Sequence, residues 1–265
     1  MTLLLALPVG LLIGLSLGPL GAGGSILTVP ALVYLLGQAP HEATTTSLLV
    51  VGGAALAGVG AHWRAGRVRL GPGLVFGVLG AAGSVVGSKV SALVDPDVLL
   101  LGFAGLLVAA GAAMPARTRR CPAEPVGGGG VATRQRVTVA RAVRVVAAAS
   151  VVGLLTGFFG VGGGFVVVPA LVLALGYDTA AAVGTSLVVI AINSAVALAT
   201  RVSGQGLVPD WRLLGVFLAA AVAGVLAGSR VSARVAPGRL TKAFVVMLGA
   251  VALYTAVRSA IQLGF

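Results

Sequence analysis

The chain predicts an all-α, polytopic integral membrane protein of two homologous, inverted repeats, each with a short half-helix broken at a Gly-rich turn plus three spanning helices. Three observations lead there. Of 265 residues, 58% are hydrophobic and 9% charged, with a mean hydropathy of +1.10, which leaves too little polar surface to coat a soluble globule of this size. Residues 43 to 61, 70 to 88 and 213 to 229 run 17 to 19 residues without a charge, long enough for a helix to cross a bilayer. The third observation is a motif written twice. Gly18-Pro19-Leu20-Gly21-Ala22-Gly23-Gly24, running to Pro30-Ala31-Leu32, returns as Gly157-Phe158-Phe159-Gly160-Val161-Gly162-Gly163 running to Pro169-Ala170-Leu171. At a constant offset of 139, residues 14 to 37 and 153 to 176 share 13 identities in 24 positions.

Five apolar pieces follow one another in each half: 3 to 18, 25 to 37, 43 to 62, 70 to 92 and 97 to 115, then 144 to 157, 164 to 176, 181 to 200, 212 to 233 and 240 to 257. They read as helices because an isolated strand cannot satisfy its backbone in lipid. A barrel would show segments of alternating polarity, whereas Val143 to Val152, with Arg144 and Ser150 as its polar residues, does not alternate. The second piece is too short to span, since its 13 residues cover about 20 Å against a hydrocarbon core of about 30 Å. It is a half-helix or one arm of a re-entrant hairpin. The organisation is therefore a first repeat over 1 to 115, a basic cytoplasmic linker over 116 to 143 and a second repeat over 144 to 265. Around that linker, Pro115 to Arg144 carries seven arginines, Glu124, Cys121 and the run Gly127 to Gly130, a flexible composition. Residues 1 to 18 lack the basic start of a signal peptide and align with the second half, so they belong to the fold.

The net charge of +12 does not mark a nucleic-acid binder, because the arginines lie between apolar segments as topology markers. The lone Cys121 allows no internal disulfide. If the linker is inside, the loop of Arg64, Arg67 and Arg69 is inside too. Placing Arg230, Arg234, Arg239 and Lys242 inside as well requires five crossings per half, which favours inverted repeats over the parallel arrangement that four would give. Arg201, Arg212 and Arg258 then fall outside.

Candidate binding groups sit at the repeated motifs. Glycine turns at Gly21, Gly23, Gly24 and Ser25, and at Gly160, Gly162, Gly163 and Gly164, leave backbone N–H groups bare at the positive end of a half-helix, where an anion fits. The competing reading is close helix packing, strongest for Gly10, Gly14 and Gly18 and for Gly153 and Gly157, which are spaced by four. Thr46 and Ser47, matched by Thr185 and Ser186, could donate hydroxyls to an anion or bond their own helix carbonyls. Asn193 is a one-sided candidate opposite Ala54. Lys89 and Arg230, in the matched runs Gly87 to Ala92 and Gly228 to Ala233, are either pathway cations or snorkelling side chains. Pro30 and Pro169 keep the half-helices from continuing as straight spans. His41 and His62 read as exposed polar residues at loop edges.

The six acids, Glu42, Asp95, Asp97, Glu124, Asp178 and Asp210, lie in loops or at segment ends, which disfavours a cation carrier. No His-Glu-x-x-His, P-loop or paired intramembrane aspartates are present, so neither an enzyme, a cofactor nor a metal site is expected.

The Gly160 to Gly164 turn with Pro169-Ala170-Leu171, the Ala182 to Leu187 stretch and their first-half copies resemble the sulfite exporter TauE/SafE family, also called the toluenesulfonate uptake permeases. The first copy departs from the pattern, with Pro19-Leu20 for two phenylalanines and Ser25 for Gly164. The resemblance implies a multi-pass inner-membrane protein that moves sulfite or organosulfonates. The expected function is a small-anion permease working by alternating access around the paired turns, with lipid as surroundings and protons as candidate coupling ion. A non-transporting membrane scaffold or assembly subunit is the alternative.

Overall fold

The computed structural model describes residues 2–20, 23–95, 98–99, 102–103, 105, 139–160, 166–168, 170–171, 179–205, 210–232, 246, 249–250 and 253. Among them the structure is helical throughout. The long elements are α1 (Thr2–Leu20), α2 (Gly23–Pro30), α3 (Pro40–Arg64), α4 (Leu70–Ser91), α5 (Val139–Phe159), α6 (Thr179–Gln205) and α7 (Trp211–Ser232). Among the described residues four helical stretches are long and apolar enough to cross a membrane: Pro40–Arg64, Leu70–Ser91, Ala181–Ser203 and Trp211–Arg230.

Helix boundaries follow local chemistry. Pro40 opens α3, where its missing N–H costs nothing. Helix α3 closes on Gly66, whose φ of +69° lets Gly66 N–H reach Trp63 O and Arg67 N–H reach His62 O, a Schellman closure. Asp210 caps α7, its carboxylate accepting from the Arg212 and Leu213 N–H groups. The short second piece is helix α2 followed at once by a π-helical turn over Ala31–Leu35. Pro30 stands at the junction, where it has no N–H to give an α-helical ladder; the turn closes with Leu36 N–H on Ala31 O. So the expected break at Pro30 is a change of helix type rather than an end.

Glycines register the helices against one another. A Cβ on Gly14 would fall on Ala221 O and one on Gly18 on Val225 O, so α1 and α7 run parallel. Likewise Gly83 meets Ser150 O and Gly87 meets Leu154 O, making α4 and α5 parallel. Gly224 and Gly228 answer against Leu11 and Leu15, as Gly153 and Gly157 do against Gly80 and Ser84. These two pairs form the most extensive helix contacts. In lipid there is no hydrophobic drive between helices, so backbone approach over such small residues carries the association.

At the centre α3 and α6 cross antiparallel, with Gly52 against Ser194 and Gly58 against Leu187. Helix α7 runs with α3, placing Leu218 at Gly53 and Val225 at Gly58; α6 runs with α4, placing Val188 at Gly73 and Ile192 at Gly77. Helices α1, α3 and α7 therefore point one way and α4, α5 and α6 the other. Helix α6 is the most enclosed, with every residue from Ala181 to Ile190 buried.

Candidate functional site

The helix directions bring four chain segments together at one end of the bundle: the start of α3 and the ends of α4, α5 and α6. Arg201, in the last turns of α6, points into that junction and is only 6% exposed. Its Nη1 donates to Thr44 Oγ1 at 2.8 Å, and its Nη2 to Ser91 Oγ at 3.1 Å and to Gly157 O at 2.9 Å. Nε is buried without a partner. Every acceptor is neutral, so among the described residues this buried guanidinium has no counter-charge. Placing a charge there is costly unless something compensates it. The sequence reading assigns Arg201 only a side of the membrane; in the structure its long side chain turns into the bundle, where two hydroxyls and a helix-end carbonyl receive it.

Gly157 O is open to Arg201 because α5 ends two residues later. Gly160 then takes a φ of +66°, with its Cα packed on Thr44 so closely that a Cβ would lie 2.5 Å from Thr44 Cβ. Thr44 donates its own hydroxyl hydrogen to His41 O at 2.8 Å, leaving its lone pairs to Arg201. Ser88 also reaches Gly157 O, at 3.4 Å.

The opposite end repeats this arrangement with a different side chain. His62, in the last turn of α3, is 2% exposed and its Nε2 donates to Gly18 O at 3.0 Å. Gly18 and Gly157 are 139 positions apart, as are His62 and Arg201, and each donor lies 44 residues beyond its glycine. The reading of His62 as an exposed loop residue is corrected, since Gly18 O draws the ring inward. His41 is half-buried, its Nδ1 enclosed without a partner.

Of the sequence-predicted site residues, Gly21, Gly162, Gly163, Gly164 and Pro169 lie outside the described residues. Gly23 and Gly24 open α2, and Ser25 is fully buried beside them. Thr46 and Ser47 are buried on α3 at the Arg201 end, and Ser47 Oγ has no partner. Thr185 and Ser186 lie at the other end of the bundle, about 24 Å along α6 from Arg201 at about 1.5 Å per residue. Thr185 Oγ1 accepts the Arg69 N–H at 3.1 Å, and Ser186 donates to Val183 O in its own helix at 2.7 Å. The structure thus joins the second-half turn to the first-half start of α3, and keeps the two Thr-Ser pairs apart. Lys89 and Arg230 are exposed in the last turns of α4 and α7. Asn193 is fully buried, with both amide atoms unpartnered, against Gly80. Among the described residues no group of three or more His, Cys, Asp or Glu gathers to hold a metal.

Thr44, Ser91, His62 and Arg201 went unseen as site residues in the sequence. One signal could have found two of them: carrying the 139-residue offset past the Thr-Ser pairs lays Arg201 on His62.

Among the described residues, long apolar helices closing over buried polar groups define a multi-pass membrane protein. The chain belongs to the sulfite exporter TauE/SafE family, whose profile matches residues 6–255. It is 33% identical over 262 residues to a probable membrane transporter protein of Xylella fastidiosa (strain 9a5c), covering 97% of this chain and 96% of that one. It is also similar to the probable membrane transporter protein YunE of Bacillus subtilis (strain 168), 30% identical over 207 residues, or 73% and 76% of the two chains. No solved structure gives a significant match.

Proposed function

We propose that this transporter is an inner-membrane permease for small oxyanions, with sulfite or an organosulfonate as substrate. The observation that carries the proposal is Arg201. A buried guanidinium whose partners are all neutral, and whose Nε is free, attracts an anion in preference to any other solute. Ser91 donates its own hydrogen to no group among the described residues, so it is available to a substrate oxygen. An oxyanion arriving at Nε would be held by the guanidinium edge, with the Ser91 hydroxyl beside it. Family membership supports the substrate class.

The proposed mechanism is alternating access between two inverted repeats. Support comes from the helix directions, with α1 and α3 of the first half opposed to α5 and α6 of the second, and from the matched contacts of Gly18 and Gly157. Each turn then faces its own side, and the repeats rock over the glycine-packed seams.

The test is uptake of labelled sulfite by proteoliposomes holding the purified protein, with sulfate and a sulfonate as competitors. Wild-type protein should accumulate label, and Arg201→Gln should lower the rate about 10- to 100-fold, the range for losing a charged hydrogen-bond donor. Folded wild-type protein that moves none of these anions, or Arg201→Gln at the wild-type rate, would overturn the proposal.

A further inference from the structure

The matched donors at the two ends differ in one chemical respect: Arg201 is always charged, whereas His62 is charged only after taking a proton. We propose that His62 forms a second, proton-dependent anion position at the first glycine turn, so that one proton moves with each anion. This inference rests on the permease reading above.

The tautomer is fixed by chemistry. A carbonyl oxygen can only accept, so the nitrogen facing Gly18 O carries hydrogen, and Nδ1 is the atom left to bind a proton. Protonation at Nδ1 keeps the Nε2 bond to Gly18 O, and it turns the ring into a cation holding the carbonyl that matches Gly157 O at the Arg201 end. Charge changes while the tether stays.

Among the described residues the surroundings supply no counter-charge. On the element carrying His62, Arg64 follows two residues later, and the closing turn brings Arg67 and then Arg69. Helix α1 offers no titratable side chain, and α7 ends beside Gly18 with Arg230. Thr185 of α6, bonded to Arg69 N–H, is neutral. Glu42, Asp95 and Asp210 all stand at the opposite end, by the helix ends gathered around Arg201; Asp97, Glu124 and Asp178 lie outside the described residues. An imidazolium among cations is stabilised by an anion from outside the described side chains, and by reciprocity the proton then favours the anion. Both leave together, the proton from Nδ1 returning to water with the released anion.

The experiment uses the full chain in proteoliposomes with trapped pyranine, supplied with labelled sulfite and labelled toluenesulfonate. His62→Gln retains an N–H donor for Gly18 O and never charges; His62→Arg is always charged. Wild-type protein should acidify the lumen as anion enters and should accumulate anion under an inward proton gradient. His62→Gln should lose accumulation by about tenfold or more, with the proton signal, which is the coupling being removed. His62→Arg should exchange anion for anion at equal pH yet ignore the gradient. Because sulfite itself binds a proton near neutrality, its proton count is read as wild type minus His62→Gln, whereas the sulfonate count is direct.

Proton-linked accumulation of wild-type size in His62→Gln would overturn the inference, as would wild-type flux with no proton movement; the permease reading would stand in both cases. No flux of any anion in folded wild type would instead remove the permease reading and this inference with it. Should the His62 variants not fold, calorimetry of toluenesulfonate binding to His41→Gln protein, in buffers of different ionisation enthalpy, decides: about one proton taken up per anion supports His62, and none overturns it.

Discussion

In the proposed permease a buried arginine, whose partners among the described residues are all neutral, holds the anion, and the choice of arginine is itself testable. Lysine at 201 would keep the charge but could not hold Thr44, Ser91 and Gly157 O in one plane. Arg201→Lys should therefore retain measurable sulfite flux, reduced about tenfold, and outperform Arg201→Gln in the same vesicles. Glycine 160 makes a different demand. Its positive φ and its contact on Thr44 exclude a side chain, and Gly160→Ala should cost about 1–3 kcal/mol, read as a lower midpoint of thermal unfolding in detergent. Gly66 shares the conformation but faces open space, so Gly66→Ala should cost only about 1 kcal/mol. The sequence makes the glycine legible and hides the arginine. A basic residue near a segment end ordinarily snorkels, and nothing local in Thr200-Arg201-Val202 tells that a hydroxyl from 157 residues upstream will receive it.

At the scale of elements, periodicity did better than local turn chemistry. The spans read over 43 to 62, 70 to 92, 181 to 200 and 212 to 233 are observed as Pro40–Arg64, Leu70–Ser91, Thr179–Gln205 and Trp211–Ser232, because uninterrupted apolar length is what a bilayer selects. Glycines four residues apart also read correctly as packing seams, since a single helix face repeats nearly at that interval. The π-helical turn after Pro30 was not legible, because a proline removes a hydrogen bond without specifying which geometry repairs it. The seams yield a contrast within one residue type. Gly14→Ala or Gly87→Ala would press a methyl group into the carbonyl of the facing helix, and each should destabilise the protein by about 1–3 kcal/mol. Gly60 lies in α3 with nothing within 4 Å of its absent Cβ, so Gly60→Ala should be neutral or stabilising by about 0.5–1 kcal/mol. Unfolding midpoints of the three variants in one detergent would check both signs together.

Across the whole molecule, the proposed inversion makes a prediction that the parallel arrangement contradicts. Ala65 follows the end of α3, and Ser203 stands near the end of α6 at the position 139 residues beyond Arg64. The two central helices cross antiparallel, joined at Thr44 to Arg201 and at Gly58 to Leu187. Equivalent ends of the two halves should thus emerge on opposite faces of the membrane, with the basic loop of Arg64, Arg67 and Arg69 retained inside. In a Cys121→Ser background, which removes the chain's single native thiol, Ala65→Cys should react with a membrane-impermeant maleimide only after the cells are opened, and Ser203→Cys should react in intact spheroplasts. Leu93→Cys, at the end of α4 beside Ser91, should label with Ser203→Cys. Labelling of Ala65→Cys and Ser203→Cys from the same side would mean parallel halves. The glycine turns would then open toward one face, and rocking of two opposed repeats could no longer carry an anion from one side to the other.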